Sequence, residues 1–528
     1  MGLNLASCLF HTAEHFPDQT AVIGDDRSFT FAELADWATG LAAALREEGL
    51  RRGDHVLLLA PNVPEFTAVY YAVLMLGGVV VPVNTLFLPH EIADLLEHSD
   101  AKFIVCWHTL AEKGHAAFVK VDTCRHFFVI GSTDGKPKDY SPSLEEKNNA
   151  GLTPPRSRAF LTPRSSSFVD CYQTAPDDTA VILYTSGTTG KSKGVELSHF
   201  NLYSNALYTQ DRGLFIQRGD VTVAVLPLFH TFGQTAIQNA SIIAGAAIVM
   251  VSQFEPRRAL AAMEKYRVTH IAAVPTMYNL MLQTLRRHPF DLSALRTAVS
   301  GGASLPLPLI KEFEEMMHFS MIEGYGLSET SPIACITPAN CPVYKPGSIG
   351  PEFFGTQVRI IREDGSFADT NEVGELVIRG HNVMKGYYKD TAATAAAFTD
   401  SGWFRSGDAA KIDEDGYVFI VDRIKDVIIR AGMNIYPREI EELLYHHPAV
   451  LETAVIGVPD ETLSENVAAF VTLVPGHTVT AAELQKYCRD HLALYKCPKV
   501  IEFRDHLPKN STGKIMKREL RNEKMNRD

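Results

Sequence analysis

The chain of 528 residues contains only eight cysteines, and no two of them have Cys-x-x-Cys spacing. Cys335 and Cys341 are the nearest neighbours in sequence, and no group of histidines accompanies them. A zinc site or a disulfide framework is therefore not expected. This cysteine usage favours a reducing compartment, and we predict a cytoplasmic protein.

An excess of positive charge is also missing. The 62 Asp and Glu residues outnumber the 50 Lys and Arg residues, giving a formal net charge of −12. Nucleic-acid binding needs a basic surface, so we expect no nucleic-acid partner. Residues 491–528 nevertheless contain ten Lys and Arg against five Asp and Glu. Such a local basic region can bind small anions in an acidic protein.

Long apolar runs are scarce, and the one that resembles a membrane span is Phe66–Val83. Gly77 and Gly78 divide it into a helical first part and the β-branched run Val79–Val83. We interpret the segment as a buried helix, a turn and a buried strand, and we expect no transmembrane segment. The sequence leaves peripheral contact with a membrane and a homodimer open.

Short apolar strands alternate with helical patterns through most of the first 335 residues. "FTFAELADWATGLAAALREEG" has the periodicity of an amphipathic helix with Thr30 as its N-cap, and "HVLLLA" and "KFIVCW" read as buried strands. This alternation predicts an α/β fold with layered, largely parallel sheets. Residues 132–178 are polar and rich in Pro and Ser, so we interpret them as a long surface loop.

The pattern changes twice towards the C-terminus. From Gly347 to Val421 it is typical of β-strands, and beyond "DRIKD" it becomes a compact βα pattern. We predict a large N-terminal domain over residues 1–421, with layered α/β sheets and a small β-barrel-like part. A hinge over residues 422–426 and a small α+β C-terminal domain over residues 427–528 complete the prediction.

A segment rich in Gly, Thr, Ser and Lys, "YTSGTTGKSKG" (184–194), follows the apolar run "AVIL". It offers closely spaced backbone N–H groups, hydroxyls and two lysines, which suit phosphate oxygens. Only two residues separate Gly187 from Gly190, whereas a P-loop has four residues before its Gly-Lys pair. From these residues alone, a flexible turn and a phosphate-binding loop are both open.

Further motifs follow this loop: "PLFHTFG" (227–233), "SGGASLP" (300–306), "EGYGLSET" (323–330), "GELVIRG" (374–380), "GWFRSGD" (402–408), "VDRIKDVIIRAGMNIYPREIE" (421–441) and "NSTGK" (510–514). Together they resemble the adenylate-forming superfamily of acyl-CoA synthetases, luciferases and peptide-synthetase adenylation domains. The resemblance implies an enzyme that uses ATP, Mg²⁺ and coenzyme A as cofactors.

The resemblance also implies which residues bind the nucleotide. Tyr325 would stack on the adenine, and the neighbouring glycines would let the base approach the backbone. The residues implied in the loop and the two central motifs are Thr185, Ser186, Gly187, Thr188, Thr189, Gly190, Lys193, Gly302, Ala303, Glu323, Gly324, Tyr325, Gly326, Ser328 and Thr330.

Carboxylates and cations complete the implied site. Glu329 stands beside hydroxyls, and the resemblance makes it an Mg²⁺ ligand together with Thr185. Asp408 would accept hydrogen bonds from the ribose hydroxyls, and Arg423 would be a second ribose or phosphate contact. Lys514 matches the adenylation lysine, a cation that offsets repulsion between the attacking carboxylate and the α-phosphate.

The superfamily reaction has two halves, adenylate formation and thiolate attack on the adenylate. The resemblance implies that the small C-terminal domain is mobile and swings between them, with Lys425 at the pivot. Gly432 would then line the tunnel for the pantetheine thiol. The basic C-terminal region suits the phosphates of coenzyme A.

His230 bears on the substrate and is the fourth predicted catalytic residue, with Lys514, Glu329 and Thr185. Amino-acid-activating relatives have Asp at this position, so an amine-bearing substrate is disfavoured. We predict an acid–thiol ligase for medium- or long-chain fatty acids. The alternatives are an aryl (cinnamate- or benzoate-type) CoA ligase, an acyl-AMP ligase that loads a carrier protein, and a relative that only binds ligands.

One position departs from the superfamily pattern. After "GVPDE" a Gly-Glu pair is usual, whereas this chain has Ser464 in the position of the glycine. This substitution puts the geometry of the local turn in doubt.

Overall fold

The computed structural model describes residues 3–24, 27–131, 170–185, 192–303, 305–460, 462–509 and 513–525. Its α-helices are α1 (Ser7–His15), α2 (Phe31–Glu47), α3 (Pro64–Met75), α4 (Pro89–His98), α5 (Ala111–Phe118), α6 (His199–Tyr208), α7 (Ala240–Ala244), α8 (Pro256–Lys265), α9 (Pro275–Leu285), α10 (Leu307–Met317), α11 (Thr391–Ala396), α12 (Pro437–Tyr445), α13 (Ala481–His491) and α14 (Lys517–Met525).

The strands fall into four sheets. In chain order they are β1 (Thr20–Ile23), β2 (Ser28–Thr30), β3 (His55–Leu59), β4 (Val79–Pro82), β5 (Phe103–Trp107), β6 (His126–Ile130), β7 (Thr179–Thr185), β8 (Lys193–Ser198), β9 (Val221–Ala224), β10 (Ala247–Met250), β11 (His270–Ala273), β12 (Thr297–Ser300), β13 (Ile322–Gly326), β14 (Ile333–Ile336), β15 (Thr356–Ile361), β16 (Gly374–Gly380), β17 (Gly386–Tyr387), β18 (Phe404–Ile412), β19 (Val418–Arg423), β20 (Ile428–Arg430), β21 (Met433–Ile435), β22 (Val450–Asp460), β23 (Ser464–Leu473) and β24 (Val500–Phe503).

Two sheets form the layered α/β part. The first has the order β14-β13-β12-β11-β9-β10-β1-β2, and the second has the order β17-β8-β7-β4-β3-β5-β6. Neighbouring strands are parallel in the interior of each sheet, and antiparallel pairs occur at the edges. The prediction of largely parallel, helix-covered sheets is confirmed.

Helices α2 and α3 illustrate the local rules. Thr30 caps α2 in a reciprocal arrangement with Glu33, as predicted. All of α3 is buried, which explains why its sequence is apolar on every face. Gly77 turns the chain with φ +70° between α3 and β4, so the helix–turn–strand interpretation of Phe66–Val83 is confirmed. None of the helices described is long and apolar enough to cross a membrane.

The β-rich stretch folds as an antiparallel sheet with the order β15-β16-β18-β19. The residues beyond it form a sheet of β20 to β24 with helices α12, α13 and α14, which enclose separate apolar cores. Residues 422–426 comprise the end of β19 and a 3₁₀ turn, Ile424–Asp426. Their role as a hinge, and the domain limits beside it, stay predictions.

Part of the predicted surface loop lies outside the described residues, namely 132–169. Residues 170–178 are described and contain neither helix nor strand. They are held to the layered part, because Tyr172 N–H donates to the Met75 carbonyl at 2.7 Å and Arg52 lies over the Tyr172 ring.

Candidate active site

The antiparallel hairpin of β7 and β8 carries the proposed phosphate loop. Its last described pairs are Tyr184 with Gly194 and Thr185 with Lys193. The apolar side chains of β7 bury the strand, so its end is fixed in the second sheet. The predicted residues Ser186, Gly187, Thr188, Thr189 and Gly190 lie outside the described residues.

Strand β12 leads directly into the Gly301–Gly302–Ala303 segment. A Cβ on Gly301 would lie 3.0 Å from the Phe232 ring and 3.1 Å from the Gly324 carbonyl, so the backbones meet closely here. Gly302 has φ +80°, a conformation that glycine adopts without strain. Glycine at position 301 thus allows the end of β12 to pack closely against both the "PLFHTFG" segment and β13.

The "EGYGLSET" motif forms β13 and the 3₁₀ turn Ser328–Thr330. A Cβ on Gly326 would overlap the Pro332 carbonyl, so packing inside the protein requires glycine there. At Gly324 a Cβ would meet Ile336 only at 3.5 Å, an ordinary contact. Thr330 is fully buried and its hydroxyl accepts from the Leu327 N–H at 2.9 Å, which holds the turn.

Glu329 projects from this turn and is held by Tyr387. The Tyr387 hydroxyl donates to Glu329 Oε1 at 3.0 Å. Burial raises the pKa of the Glu329 carboxyl, and the bond from Tyr387 opposes that shift. A buried carboxylate with a raised pKa gains when a cation binds, because the cation stabilises the charged form.

A second polar corner joins β13, β18 and β19. Asp408 is buried, with Oδ2 accepting from the Tyr325 hydroxyl at 2.6 Å and Oδ1 lying 3.4 Å from Arg423 Nε. Asp408 and Arg423 are directly opposite in the β18–β19 register. Three residues predicted for the adenosine part of ATP are therefore brought together.

Lys514 reaches the same corner from the C-terminal part. Burial lowers the pKa of its ammonium group to about 7; Arg423 and Lys425 lower it as well, and Asp408 opposes them. A Cβ on the preceding Gly513 would lie 2.5 Å from Thr276 Oγ1, so the backbone at Gly513 lies close to the start of α9.

His230 lies near Lys514. Burial, followed by the charge of Lys514, lowers the pKa of His230 to about 4. Its Nδ1 accepts from the Phe232 N–H at 3.3 Å, which assigns the proton to Nε2. The imidazole is consequently neutral at physiological pH.

Glu323 is also buried, at the start of the motif on β13. Burial raises its pKa to about 7, and the charge of Arg438 opposes the shift. Arg438 belongs to α12 and is itself buried, with Nε donating to Glu442 at 2.8 Å and Nη1 to the Ile420 carbonyl at 2.8 Å. The two groups interact through charge although they belong to different parts of the chain.

Lys425 lies in the 3₁₀ turn after β19, and burial lowers its pKa, with Arg423 contributing. Gly432 does not join the cluster. It lies exposed between β20 and β21 with φ +79°, and a Cβ there would have no atom within 4 Å.

Two functional candidates, Tyr387 and Arg438, were missed by the sequence analysis. Each lies in a motif-like stretch, "KGYYKD" and "YPREIE", but no local pattern reveals its distant carboxylate. Within the described parts of the chain, no group of three His, Cys, Asp or Glu residues could hold a metal ion. The oxygen donors present suit Mg²⁺, which is commonly held by one or two carboxylates plus substrate phosphates.

Comparisons with known proteins identify the family of the chain. A family model described as AMP-binding enzyme matches residues 9–388, and one described as AMP-binding enzyme C-terminal domain matches residues 439–514. The chain is 36% identical to a long-chain-fatty-acid–CoA ligase of Bacillus subtilis, covering 98% of this chain and 94% of that protein. It is 35% identical to a feruloyl-CoA synthase of Amycolatopsis sp, covering 98% of each.

Among solved structures, ATP-bound MatB from Rhodopseudomonas palustris superposes with a TM-score of 0.88 at 32% identity, covering 99% of each chain. Both family models match in the expected order, and they cover most of the chain. The prediction of an adenylate-forming enzyme is confirmed. The chain belongs to the AMP-binding enzyme family and is an ATP-dependent acyl-CoA synthetase.

Proposed function

We propose that the enzyme activates a medium- or long-chain fatty acid with Mg-ATP and transfers the acyl group to coenzyme A. The observation that carries the residue assignments is the position of the half-buried Lys514, whose charge interacts with Asp408 and Arg423 and with His230. This arrangement supports the proposal that Lys514 is the cation between the nucleotide and the acyl substrate.

In the first step, a carboxylate oxygen of the acid attacks the α-phosphorus of ATP. A P–O bond forms, the bond between the α-phosphorus and the bridging oxygen breaks, and pyrophosphate leaves. The acid is ionised at neutral pH, so no general base is required. Lys514 offsets the negative charge that develops, and ATP in turn favours the protonated form of Lys514.

The other residues bind and orient. Asp408 accepts from the ribose hydroxyls, Arg423 contacts ribose or phosphate, and Tyr325 stacks on the adenine while its hydroxyl holds Asp408. Glu329 and Thr185 would hold Mg²⁺, which supplies charge neutralisation at the phosphates. Neutral His230 borders the acyl group and offers no counter-ion to an amine, which disfavours amino-acid substrates.

In the second step, the thiolate of coenzyme A attacks the acyl carbon. A C–S bond forms, the acyl–oxygen bond breaks and AMP leaves. The exposed hairpin of β20 and β21 would enter the site after rotation about Lys425, bringing Gly432 to the pantetheine. The structure has Lys514 inserted and the hairpin exposed, an arrangement that suits the first step.

An aryl acid is the second candidate substrate. A relative named for feruloyl-CoA is nearly as similar as one named for long-chain fatty acids, at 35% against 36% identity. The small residues Gly302 and Ala303 would leave room for an extended chain, which favours the fatty acid, whereas the space beside Gly301 is filled by Phe232 and the Gly324 carbonyl. All eight cysteines are free thiols, which supports a cytoplasmic location.

The test is product analysis by mass spectrometry. Purified protein, Mg-ATP and an equimolar mixture of C2–C18 fatty acids, ferulate and benzoate are incubated with and without coenzyme A. We expect acyl-AMP of C8–C18 acids without coenzyme A and the matching acyl-CoA with it. Feruloyl or benzoyl products in excess would favour the aryl ligase, and acyl-AMP that persists with coenzyme A would favour carrier-protein loading.

A further inference from the structure

The short strand β17 and the residues just before it join two parts of the ATP site. Gly386 and Tyr387 pair with Glu196 and Val195 of β8, the second arm of the phosphate-loop hairpin. Two residues earlier, the Met384 N–H donates to the Glu329 carbonyl at 2.8 Å. One backbone segment therefore contacts both the hairpin and the turn that carries Glu329.

The side chain of Tyr387 repeats this connection. Its hydroxyl donates to Glu329 Oε1 at 3.0 Å, and Lys193 Nζ lies over its ring, 4.8 Å from the centre. Lys193 pairs with Thr185 at the end of the described hairpin. The Tyr387 side chain thus contacts both Glu329 and Lys193, the two residues that are predicted to lie beside the triphosphate of ATP.

Contacts with α11 fix the backbone at Tyr387. Its N–H donates to Thr394 Oγ1 at 2.8 Å, and that hydroxyl donates in turn to the Asp390 carbonyl at 2.8 Å. A Cβ on Gly386 would lie 2.8 Å from Thr394 Cγ2, so β17 rests directly on α11. The strand pairing and this contact hold the backbone from which the Tyr387 side chain reaches Glu329.

We propose that Tyr387 is a positioning residue that orients Glu329 for Mg²⁺ and holds Lys193 at the phosphate loop. The proposal rests on the proposed role of Glu329 as an Mg²⁺ ligand. The hydrogen bond from the Tyr387 hydroxyl to Oε1 restricts the orientation of the carboxylate that would bind the ion. Partners of this kind typically change metal affinity by 10- to 100-fold when they are removed.

The test is calorimetric titration of the full chain with ATP, with and without MgCl₂, in the absence of any acid. Tyr387→Phe keeps the ring beneath Lys193 and removes only the hydroxyl. We expect the gain in ATP affinity that Mg²⁺ provides to fall about tenfold, with affinity in the absence of Mg²⁺ within about twofold of the parent. Tyr387→Leu also removes the ring and should weaken ATP binding in both conditions.

Tyr388→Phe is the matched control. The Tyr388 hydroxyl also donates to a carboxylate, Asp100 Oδ2 at 2.8 Å, but that residue is outside the proposed site. Tyr388→Phe should behave like the parent protein. Glu329→Gln tests the proposed function itself and should remove most of the gain from Mg²⁺.

The outcomes separate the two ideas. If Glu329→Gln loses the gain from Mg²⁺ while Tyr387→Phe matches Tyr388→Phe, the role of Tyr387 is overturned and that of Glu329 stands. If Tyr387→Phe weakens ATP binding equally with and without Mg²⁺, the role of Tyr387 is also overturned. The hydroxyl would then affect the phosphate loop and not the binding of Mg²⁺. If Glu329→Gln keeps the full gain, the Mg²⁺ assignment fails and the proposal for Tyr387 fails with it.

Discussion

The large N-terminal part and the C-terminal part contribute different kinds of groups to the site. The first supplies hydrogen bonds from tyrosine hydroxyls to carboxylates, such as Tyr325 to Asp408 at 2.6 Å and Tyr387 to Glu329 at 3.0 Å. The second supplies two cations: Lys514, which is half-buried and interacts with Asp408 through charge, and the buried Arg438, which interacts with Glu323 in the same way. The hydrogen-bonded pairs lie within the N-terminal part, whereas the effect of the two cations depends on how the two parts dock.

This difference has an energetic consequence. Lys514 loses contact with water in this site, and burial lowers the pKa of its ammonium group to about 7. ATP brings negative charge that restores the protonated form. The C-terminal contribution is therefore strongest when nucleotide is present, and variants of the two parts should separate the half-reactions.

The largest effect is expected for Lys514→Ala. Loss of a cation at a developing negative charge should slow acyl-AMP formation by roughly 100- to 1,000-fold. Thioester formation from supplied acyl-AMP should stay within about threefold of the parent, because Lys514 has no role in that step in our proposal. The measurement is single-turnover release of pyrophosphate and of AMP.

Lys509→Ala is its control, since Lys509 pairs with Glu452 at 2.6 Å in the same part of the chain. Both half-reactions should be unchanged in that variant. An equal loss of both half-reactions in Lys514→Ala would contradict the division of labour between two domain arrangements.

Glu323→Gln should change how stability depends on pH. The pKa of Glu323 is raised from 4.5 to about 7, so its contribution is fully present below pH 4.5 and is lost as pH rises through about 7. The variant removes this loss and should unfold at a higher temperature than the parent at pH 8, by a free energy of up to about 3 kcal/mol. At pH 4.5 the two proteins should unfold at similar temperatures.

Thermal unfolding at both pH values measures this effect. Glu363→Gln is a suitable control, because Glu363 is an exposed carboxylate. The same difference between Glu323→Gln and parent at both pH values would show that the amide changes packing rather than titration.

Two charged residues near Lys514 shift its pKa in opposite directions, so their variants should move the pH profile in opposite directions. Asp408 raises the pKa of Lys514 and Arg423 lowers it, and the protonated form is the one that stabilises the transition state. The basic limb of kcat/KM for adenylate formation should therefore move to lower pH in Asp408→Asn and to higher pH in Arg423→Gln. Each shift should be on the order of half to one pH unit.

The experiment measures pyrophosphate release between pH 6 and 9 at low ATP concentration. Both variants should also bind ATP more weakly, which lowers the plateau without moving the limb. A limb that moves the same way in both variants would exclude Lys514 as the titrating group.

Much of the fold could be predicted from local patterns in the sequence. The contacts that could not be predicted share one physical cause, because they join residues that are far apart in the sequence. The Thr30 cap and the helix–turn–strand of Phe66–Val83 depend on nearby residues, so periodicity and propensity were sufficient. Tyr387 and Glu329 are 58 positions apart, and their contact exists only because β17 pairs with β8. No local pattern contains that information.

Gly326 shows the same limit of prediction from the local sequence. A Cβ on Gly326 would overlap the Pro332 carbonyl, so the structure explains this glycine by packing inside the protein. The family resemblance had instead predicted that this glycine lets the adenine approach the backbone. Arg438 lies in the "YPREIE" stretch, whereas Glu323, with which it interacts through charge, lies in the other part of the chain, so only the docked arrangement connects them.

The smallest effect is expected at Ser464, the position where glycine is usual. Ser464 has φ +69°, so the backbone keeps the left-handed conformation in spite of the side chain. Such a conformation costs roughly 1 kcal/mol for a residue with a Cβ, and glycine avoids most of that cost. Ser464→Gly should therefore stabilise the C-terminal part by about 0.5–1 kcal/mol.

Ser464 lies opposite Arg430, and Ala431, next in the hairpin with Gly432, donates to the Leu463 carbonyl at 2.8 Å. The stabilisation should consequently appear as slower amide hydrogen exchange in β20, β21 and the start of β23, and not in the sheets of the N-terminal part. Ser401→Gly, at an exposed turn residue without positive φ, should give no such protection. Faster amide exchange in Ser464→Gly would contradict this prediction. It would mean that a contact of the serine side chain stabilises the turn and outweighs the backbone strain at this position.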